Sequence, residues 1–365
     1  MAVTMPKVDV TFSQRAASLF ERSQRGIAVL IVRDATESVT TTFYTFASQA
    51  EADKKSADFT ATNMQYIDDI FALKQPYKVC VVRLGSSGTV ADATEIIEKN
   101  VKTGWVTIAD GSTTDFTALV SWIGTCESND KTYKAIVHGI STAPDKRHVV
   151  DFVNTKVTFA DSRGEKTGPA YLPSLLGLLA GANVTSGVTY EPCGNLISCV
   201  PVDDNDTAVS SGKFILVSDV NGVYVGLGVN SLTTTNGKTL TEDMKYIETV
   251  EAMDLIADDI RDEFRQNYIG KYRNSLDNQM LLIAAIRGYF ADLADEGILD
   301  AEYENTVEID VESQRAAWIA SGKSEAVDWD DAKVRQMAFK RTVYLKADIK
   351  ILGSMENLEF EISMA

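Results

Sequence analysis

A chain of 365 residues is long enough for two or three units with cores of their own, and 45% apolar with 24% charged residues is ordinary for a soluble globular protein. Its 35 basic residues stand against 52 acidic ones, a net charge of −17. Such a balance repels phosphate backbones and anionic lipid, which excludes nucleic-acid binding through a broad basic surface and disfavours attachment to membranes.

Met1–Lys7 has no basic n-region, so no signal peptide is expected. Val8, Val10 and Phe12 then alternate with Lys7, Asp9 and Thr11, which predicts a strand with one apolar face. Gly26–Arg33 reads as a fully buried strand. From Tyr77 to Ile140 the pattern is β-α-β-α-β: strands at Tyr77–Leu84, Trp105–Ala109 and Tyr133–Ile140, helices at Val90–Val101 and Thr113–Cys126. Phe116, Leu119, Val120 and Ile123 keep helical spacing behind a cap at Ser112 or Thr113. Strands alternating with helices of this length predict parallel pairing, so the fold class is α/β.

The apolar run Ala170–Ala182 contains Pro173 and Ser174 and is too short to span a bilayer; it predicts a buried helix. Lys213–Val220 and Val223–Leu227 flank Asn221-Gly222, a pair suited to a type I′ hairpin turn. Met244, Ile247, Val250, Met253, Ile256, Ile260, Phe264 and Tyr268 form one apolar stripe, with Thr239 and Glu242 as its capping box and Gly270 at its end. A second helix from about Ser275 to Asp295 stops at Gly297, which predicts a helical hairpin. In Thr342–Leu352, Val343, Leu345, Ala347, Ile349 and Ile351 alternate with polar residues; after Gly353–Asn357 so do Leu358, Phe360, Ile362 and Met364.

Both ends therefore carry patterned strands that must be paired and covered. They can pair inside their own subunit, or each can add to a neighbour's sheet. Contacts of the second kind run head to tail and build helical filaments when the rotation does not close.

Catalytic chemistry finds little support. His138 ends a predicted strand and His148 sits in a polar stretch, too far apart in sequence for a metal pair on one helix face. Gly85–Gly88 follows a strand and opens a helix, but the dinucleotide and P-loop fingerprints are incomplete there and at Gly226–Gly228 and Gly237–Thr239. Asp203–Asp206 lacks the glycine and terminal glutamate of an EF-hand. Asp254, Asp258, Asp259, Asp262 and Glu263 read as the wet face of an amphipathic helix. Cys80, Cys126, Cys193 and Cys199 are scattered and read as free buried thiols. No cofactor, metal or catalytic residue is expected.

Several stretches resemble the contractile tail sheath family of myophages, defective phage-like particles and phage-tail-like bacteriocins. The most specific runs from Thr249 to Phe290 and includes Asn267-Tyr-Ile-Gly-Lys-Tyr-Arg-Asn274. Gly228–Thr235, Gly168–Gly181, Ala16–Arg33 and Val343–Met364, with its Ser354-Met-Glu-Asn-Leu358, are also similar. The similarity is nearest to short sheath proteins of Gram-positive prophage-type particles.

The resemblance implies a subunit that stacks as hexameric rings around a tail tube and contracts to drive the tube through a target envelope. It implies tail tube, baseplate and tail terminator partners, and assembly in a bacterial cytoplasm before release in a particle. It favours strand donation, with Val8, Val10 and Phe12 in an N-terminal arm, Leu358, Phe360, Ile362 and Met364 in a C-terminal arm, and Val343, Leu345 and Ile349 in the accepting strand. Lys333, Arg335, Lys340 and Arg341 form a local basic cluster on a helix face, and Lys333, Arg335 and Lys340 are candidates to face an acidic tube. The expected organisation is an arm (1–25), an outer α/β domain (26–165), an inner α+β core (166–341) with the hairpin at 239–297, and C-terminal strands and arm (342–365). Tyr77–Ile140 and its flanks make the outer part; both termini join the hairpin in an inner module. The rival readings are a nucleotide-binding α/β enzyme and a ring- or tube-forming structural protein that does not contract.

Overall fold

Ile27–Arg33 forms β1, an interior strand of a seven-stranded sheet, in a computed structural model that describes residues 25–36, 39–182, 184 and 187–363. All of β1 except Arg33 is buried, as a strand covered on both faces requires. Next come β2 (Phe43–Phe46), α1 (Gln49–Asp53), α2 (Ala61–Ile70), β3 (Lys78–Leu84), α3 (Val90–Asn100), β4 (Gly104–Ile108), α4 (Thr113–Ser128), β5 (Tyr133–His138) and β6 (Val149–Phe152). β7 (Lys156–Phe159), β8 (Glu165–Thr167), α5 (Leu172–Gly181), β9 (Leu196–Cys199), α6 (Asn205–Ser210) and β10 (Lys213–Phe214) follow. The sheet order is β10-β6-β5-β4-β1-β3-β2, parallel throughout except for the edge strand β2.

The expected β-α-β-α-β run is present and parallel, with boundaries within two residues of those read from the pattern. Its helices start where side chains close the free N–H groups: Thr89 with Asp92 on α3, and Ser112 with Asp115 on α4, each a reciprocal capping box. The Gly168–Gly181 segment gives a short 3-10 turn followed by α5, which is buried from Leu172 to Ala180. Gly177 is there because α2 is close: a Cβ would lie 1.8 Å from the Ile70 carbonyl oxygen. β10 lies in the same sheet as β1, so this body extends past the expected division at 165/166.

β11 (Leu216–Asp219) and β12 (Gly222–Val225) form the expected hairpin, but its turn is Val220-Asn221, not Asn221-Gly222. Asp219 Oδ1 accepts the Asn221 and Gly222 N–H groups at 2.7 and 3.2 Å, so a carboxylate organises the turn without the two positive-φ residues of type I′. Helix α7 (Ile247–Glu263) begins later than expected, after a 3-10 turn at Glu242–Lys245. The expected Thr239–Glu242 box does not form: Asn236 Oδ1 accepts the N–H groups of Lys238, Thr239 and Leu240 and makes a turn of its own. A π turn at Phe264–Tyr268 ends α7.

The chain divides into two compact units within α7. One comprises the described residues up to Asp258 together with those from Ile351 onward. The other contains Asp259–Lys350 and includes α8 (Leu276–Asp295), β13 (Thr306–Ile309), α9 (Val311–Ala320), α10 (Asp331–Gln336) and β14 (Leu345–Asp348). Ser275 caps α8, which starts where expected, and Gly297, at φ +73°, stops it as expected. β13 and β14 pair antiparallel, and α9 and α10 enclose a small core of Val311, Ala326, Trp329 and Val334.

Candidate assembly surface

The acidic face of α7 is dry. Asp254, Asp258, Asp259 and Glu263 are all buried, which corrects the expectation of a solvated helix face. Glu251, Asp254 and Asp258 step by three and four, so they form one stripe, and the α/β body meets it with cations and donors. Lys134 Nζ lies 2.6 Å from Asp254 and 3.2 Å from Glu251; Trp105 Nε1 donates to Glu251 at 2.8 Å. Arg25 reaches Asp258 at 3.1 Å, and Thr132 donates to the same carboxylate at 2.7 Å. Within the other unit, Tyr289 donates to Asp259 at 2.7 Å.

His148 completes the seam and is not a loop residue in water. It is 2% exposed, with Nδ1 2.8 Å from Glu127 and Nε2 3.1 Å from Asp254. Burial alone would lower its pKa, but the two carboxylates outweigh it and the imidazolium is favoured. Burial opposes the ionised form of Asp254 as well, yet Lys134 and His148 hold its carboxyl well below the usual range. His138 is a strand-end residue as expected; burial lowers its pKa, and its Nε2 lies 3.0 Å from the Asn154 carbonyl.

The C-terminal segment leaves this body through a polar anchor that the sequence did not reveal. Glu248, in the first turn of α7, accepts the Ser354 N–H at 2.7 Å and its hydroxyl at 2.5 Å. Gly187 N–H donates to Ser354 Oγ at 3.1 Å, and Thr189 donates to Glu356 at 2.7 Å. Beyond this anchor no strand forms among the described residues, although the alternation predicts one. Leu358, Phe360 and Ile362 are 88, 75 and 70% exposed. A strand needs a ladder partner, and within its own chain this segment has none among the described residues. Val8, Val10, Phe12 and Met364 lie outside the described residues.

Only Leu345 of the expected accepting residues is within β14; Val343 and Ile349 flank it, and the ladder is shorter than the Thr342–Leu352 alternation predicts. β14 pairs with β13 alone among the described residues. Lys333 and Arg335 are exposed on the six-residue α10. Lys333 Nζ sits 5.0 Å from the Trp329 ring, and Arg335 is 3.6 Å from Glu308. Lys340 and Arg341 lie beyond that helix, in a turn where Lys340 has φ +45°, so the basic cluster is not on one helix face.

The dismissed chemical candidates have structural uses. The N-terminus of α3 after Gly85–Gly88 is already occupied by the Asp92 carboxylate, and Asp204 caps α6 by accepting the Thr207 N–H at 2.9 Å. At the C-terminal end of β1, where open α/β sheets bind ligands, Arg33 is paired with both oxygens of Asp115. Asp34 beside it is buried under donors from Thr36, Thr60, Asn63 and Arg83. All four cysteines are free and buried. Among the described residues no helix is long and apolar enough to cross a membrane.

Residues 239–365 match the family described as the phage tail sheath C-terminal domain. Over 368 residues the chain is 26% identical to the tail sheath protein of Clostridium phage phiCD119, covering 98% of each sequence. Its fold is similar to the crystal structure of a sheath tail protein from Desulfitobacterium hafniense (TM-score 0.67, 14% identity, 83% of this chain and 94% of that one). It is also similar to the anti-feeding prophage helical sheath in its contracted state (TM-score 0.69, 13% identity, 99% of both chains). The fold is shared with these sheath proteins.

Proposed function

We propose that this chain is the structural subunit of a contractile tail sheath, polymerising as stacked hexameric rings around a tail tube and contracting to drive the tube through a target cell envelope. The observation that carries this reading is the C-terminal segment itself. Three large apolar side chains alternate with Glu359 and Glu361 on an extended, uncovered stretch whose root is firmly hydrogen-bonded. Left in water that stretch is a liability; added to a neighbour's sheet it supplies main-chain ladders and an apolar face.

In this account Leu358, Phe360, Ile362 and Met364 donate, and the edge around Val343, Leu345 and Ile349 accepts. Val8, Val10 and Phe12 form the second arm. The outer part is Tyr77–Ile140 with its flanks, and the helical hairpin joins the termini in the inner module. Lys333, Arg335 and Lys340 face an acidic tube, with baseplate and terminator proteins at the two ends of the sheath. The particle is assembled in a bacterial cytoplasm and then released. The chain performs no catalysis, a reading supported by the satisfied ion pairs at the ligand-binding end of the sheet.

Mixing the purified chain with its tail tube and viewing the product by negative-stain electron microscopy tests this. Striated cylinders around the tube are expected from the native chain, with fewer and shorter ones from K333E/R335E. Equal tube-dependent assembly by that variant contradicts the tube-facing role, whereas naked tubes with the native chain contradict the sheath itself.

A further inference from the structure

The chain holds two Asn-Gly pairs, Asn221-Gly222 and Asn236-Gly237, in opposite surroundings. An asparagine before glycine can lose its side-chain nitrogen when the glycine's backbone nitrogen attacks the amide carbon Cγ, since no Cβ on the glycine obstructs the approach. Asn236 is arranged for that attack. Its Oδ1 accepts the N–H groups of Lys238, Thr239 and Leu240 at 3.0, 2.9 and 3.0 Å. Donors converging on one carbonyl oxygen draw electrons from its carbon and stabilise the oxyanion that attack creates. Nδ2, the atom that would leave, donates to Thr239 Oγ1 at 2.8 Å. Gly237 N–H donates to the Leu240 carbonyl at 3.1 Å, an acceptor shared with Asn236 N–H at 2.9 Å. Asn236 and Gly237 are both exposed, and a Cβ on Gly237 would meet nothing within 4 Å, so hydroxide reaches the pair freely. At Asn221 the attacking atom is tied down instead. Asp219 Oδ1 accepts the Asn221 and Gly222 N–H groups at 2.7 and 3.2 Å, and a carboxylate beside a backbone nitrogen opposes the loss of its proton. Among the described residues Asn221 Oδ1 accepts no hydrogen bond.

We propose that Asn236 is a self-modifying site that converts to aspartate through a cyclic imide, while Asn221 is preserved. Hydroxide takes the Gly237 amide proton, and the nitrogen bonds to Asn236 Cγ. The displaced electron pair moves onto Oδ1, where the three N–H donors hold it. It returns as the Cγ–Nδ2 bond breaks. The Thr239 hydroxyl passes a proton to Nδ2, which leaves as ammonia, and regains one from water. Water then opens the imide, and opening at Cγ leaves an aspartate on an unaltered backbone. The balance is amide plus water giving acid plus ammonia, with nothing oxidised or reduced. The new carboxylate keeps the same three donors, and each binds an ion more strongly than it binds an amide. The conversion adds one negative charge to an exposed loop ahead of α7 and so records the age of the subunit.

The test follows both pairs in one sample. The full-length chain is kept in mildly alkaline buffer, once folded and once unfolded in guanidinium, and peptide mass spectrometry over time reads the change from amide to acid at each pair. Unfolded, the two pairs should react at rates within about twofold of each other, because neither keeps its folded surroundings. Folded, Asn236 is expected to react at least about tenfold faster than Asn221, and faster than it does unfolded. Thr239→Val should slow Asn236 at least about threefold and leave Asn221 unchanged. Asp219→Ala should speed Asn221 at least about threefold by freeing the Gly222 N–H. Circular dichroism melts check that both variants remain folded. An Asn236 that outlasts its unfolded counterpart overturns the proposal, since the turn then protects the amide. An Asn221 that keeps pace with Asn236 in the folded chain overturns it as well.

Discussion

His148 Nε2 lies 3.1 Å from Asp254 Oδ1 in a dry seam between α7 and the α/β sheet. The imidazole satisfies two carboxylates only while both its nitrogens carry protons. Its raised pKa means that this stabilisation is complete below the ordinary histidine value of about 6.5 and fades as pH rises through the folded value. Asp254 and Glu127 are shifted down, so their contribution is present above about pH 4 and fades as pH falls through their folded values. Thermal melts against pH should therefore show an alkaline decline that depends on His148. H148Q should flatten that decline and cost about 2 kcal/mol at pH 6. A native chain equally stable at pH 6 and 9 contradicts the assignment.

Removing the other partner is worse. Asp254→Ala leaves Lys134 and His148 buried and facing each other, and should cost about 3–5 kcal/mol. Chemical denaturation should show the loss as a lowered midpoint with an unchanged slope. A loss under about 1 kcal/mol would mean that the seam is open to water.

Gly177→Ala should destabilise the chain by about 1–3 kcal/mol, against the usual stabilising effect of alanine in a helix. The new Cβ would occupy space already taken by the Ile70 carbonyl and force α5 away from α2. A raised melting temperature would show that these helices separate freely.

Asp151 is buried in β6, which pushes its pKa up to about 6. A carboxyl shifted upward favours folding in its protonated form, and that benefit is lost as pH rises through 6. D151N should stabilise the protein by roughly 2–3 kcal/mol at pH 8 and leave it unchanged at pH 4. Melting curves at the two pH values check the sign.

The α/β body was readable because its signals are local. Ser112 caps where a cap was expected, and β1 is an unbroken apolar run from Ile27 to Val32. The seam was not readable, since a carboxylate row on an amphipathic helix looks solvated until Lys134 and His148, more than a hundred residues earlier, are brought onto it. β13 escaped notice because Thr306–Ile309 is short and mixed in polarity, and only its pairing with β14 makes it a strand. The arm's alternation was plain in Leu358–Met364, yet its anchor on Glu248 and Thr189 is tertiary and leaves no local pattern.

The most direct test of the account is negative-stain electron microscopy of the full-length chain beside a chain lacking Leu358–Ala365, each with and without tail tube. Striated hollow cylinders from the full chain, absent or reduced to short rings after the deletion, are the expected result. Cylinders of normal length from the truncated chain would contradict the central claim that this exposed segment links one subunit to the next.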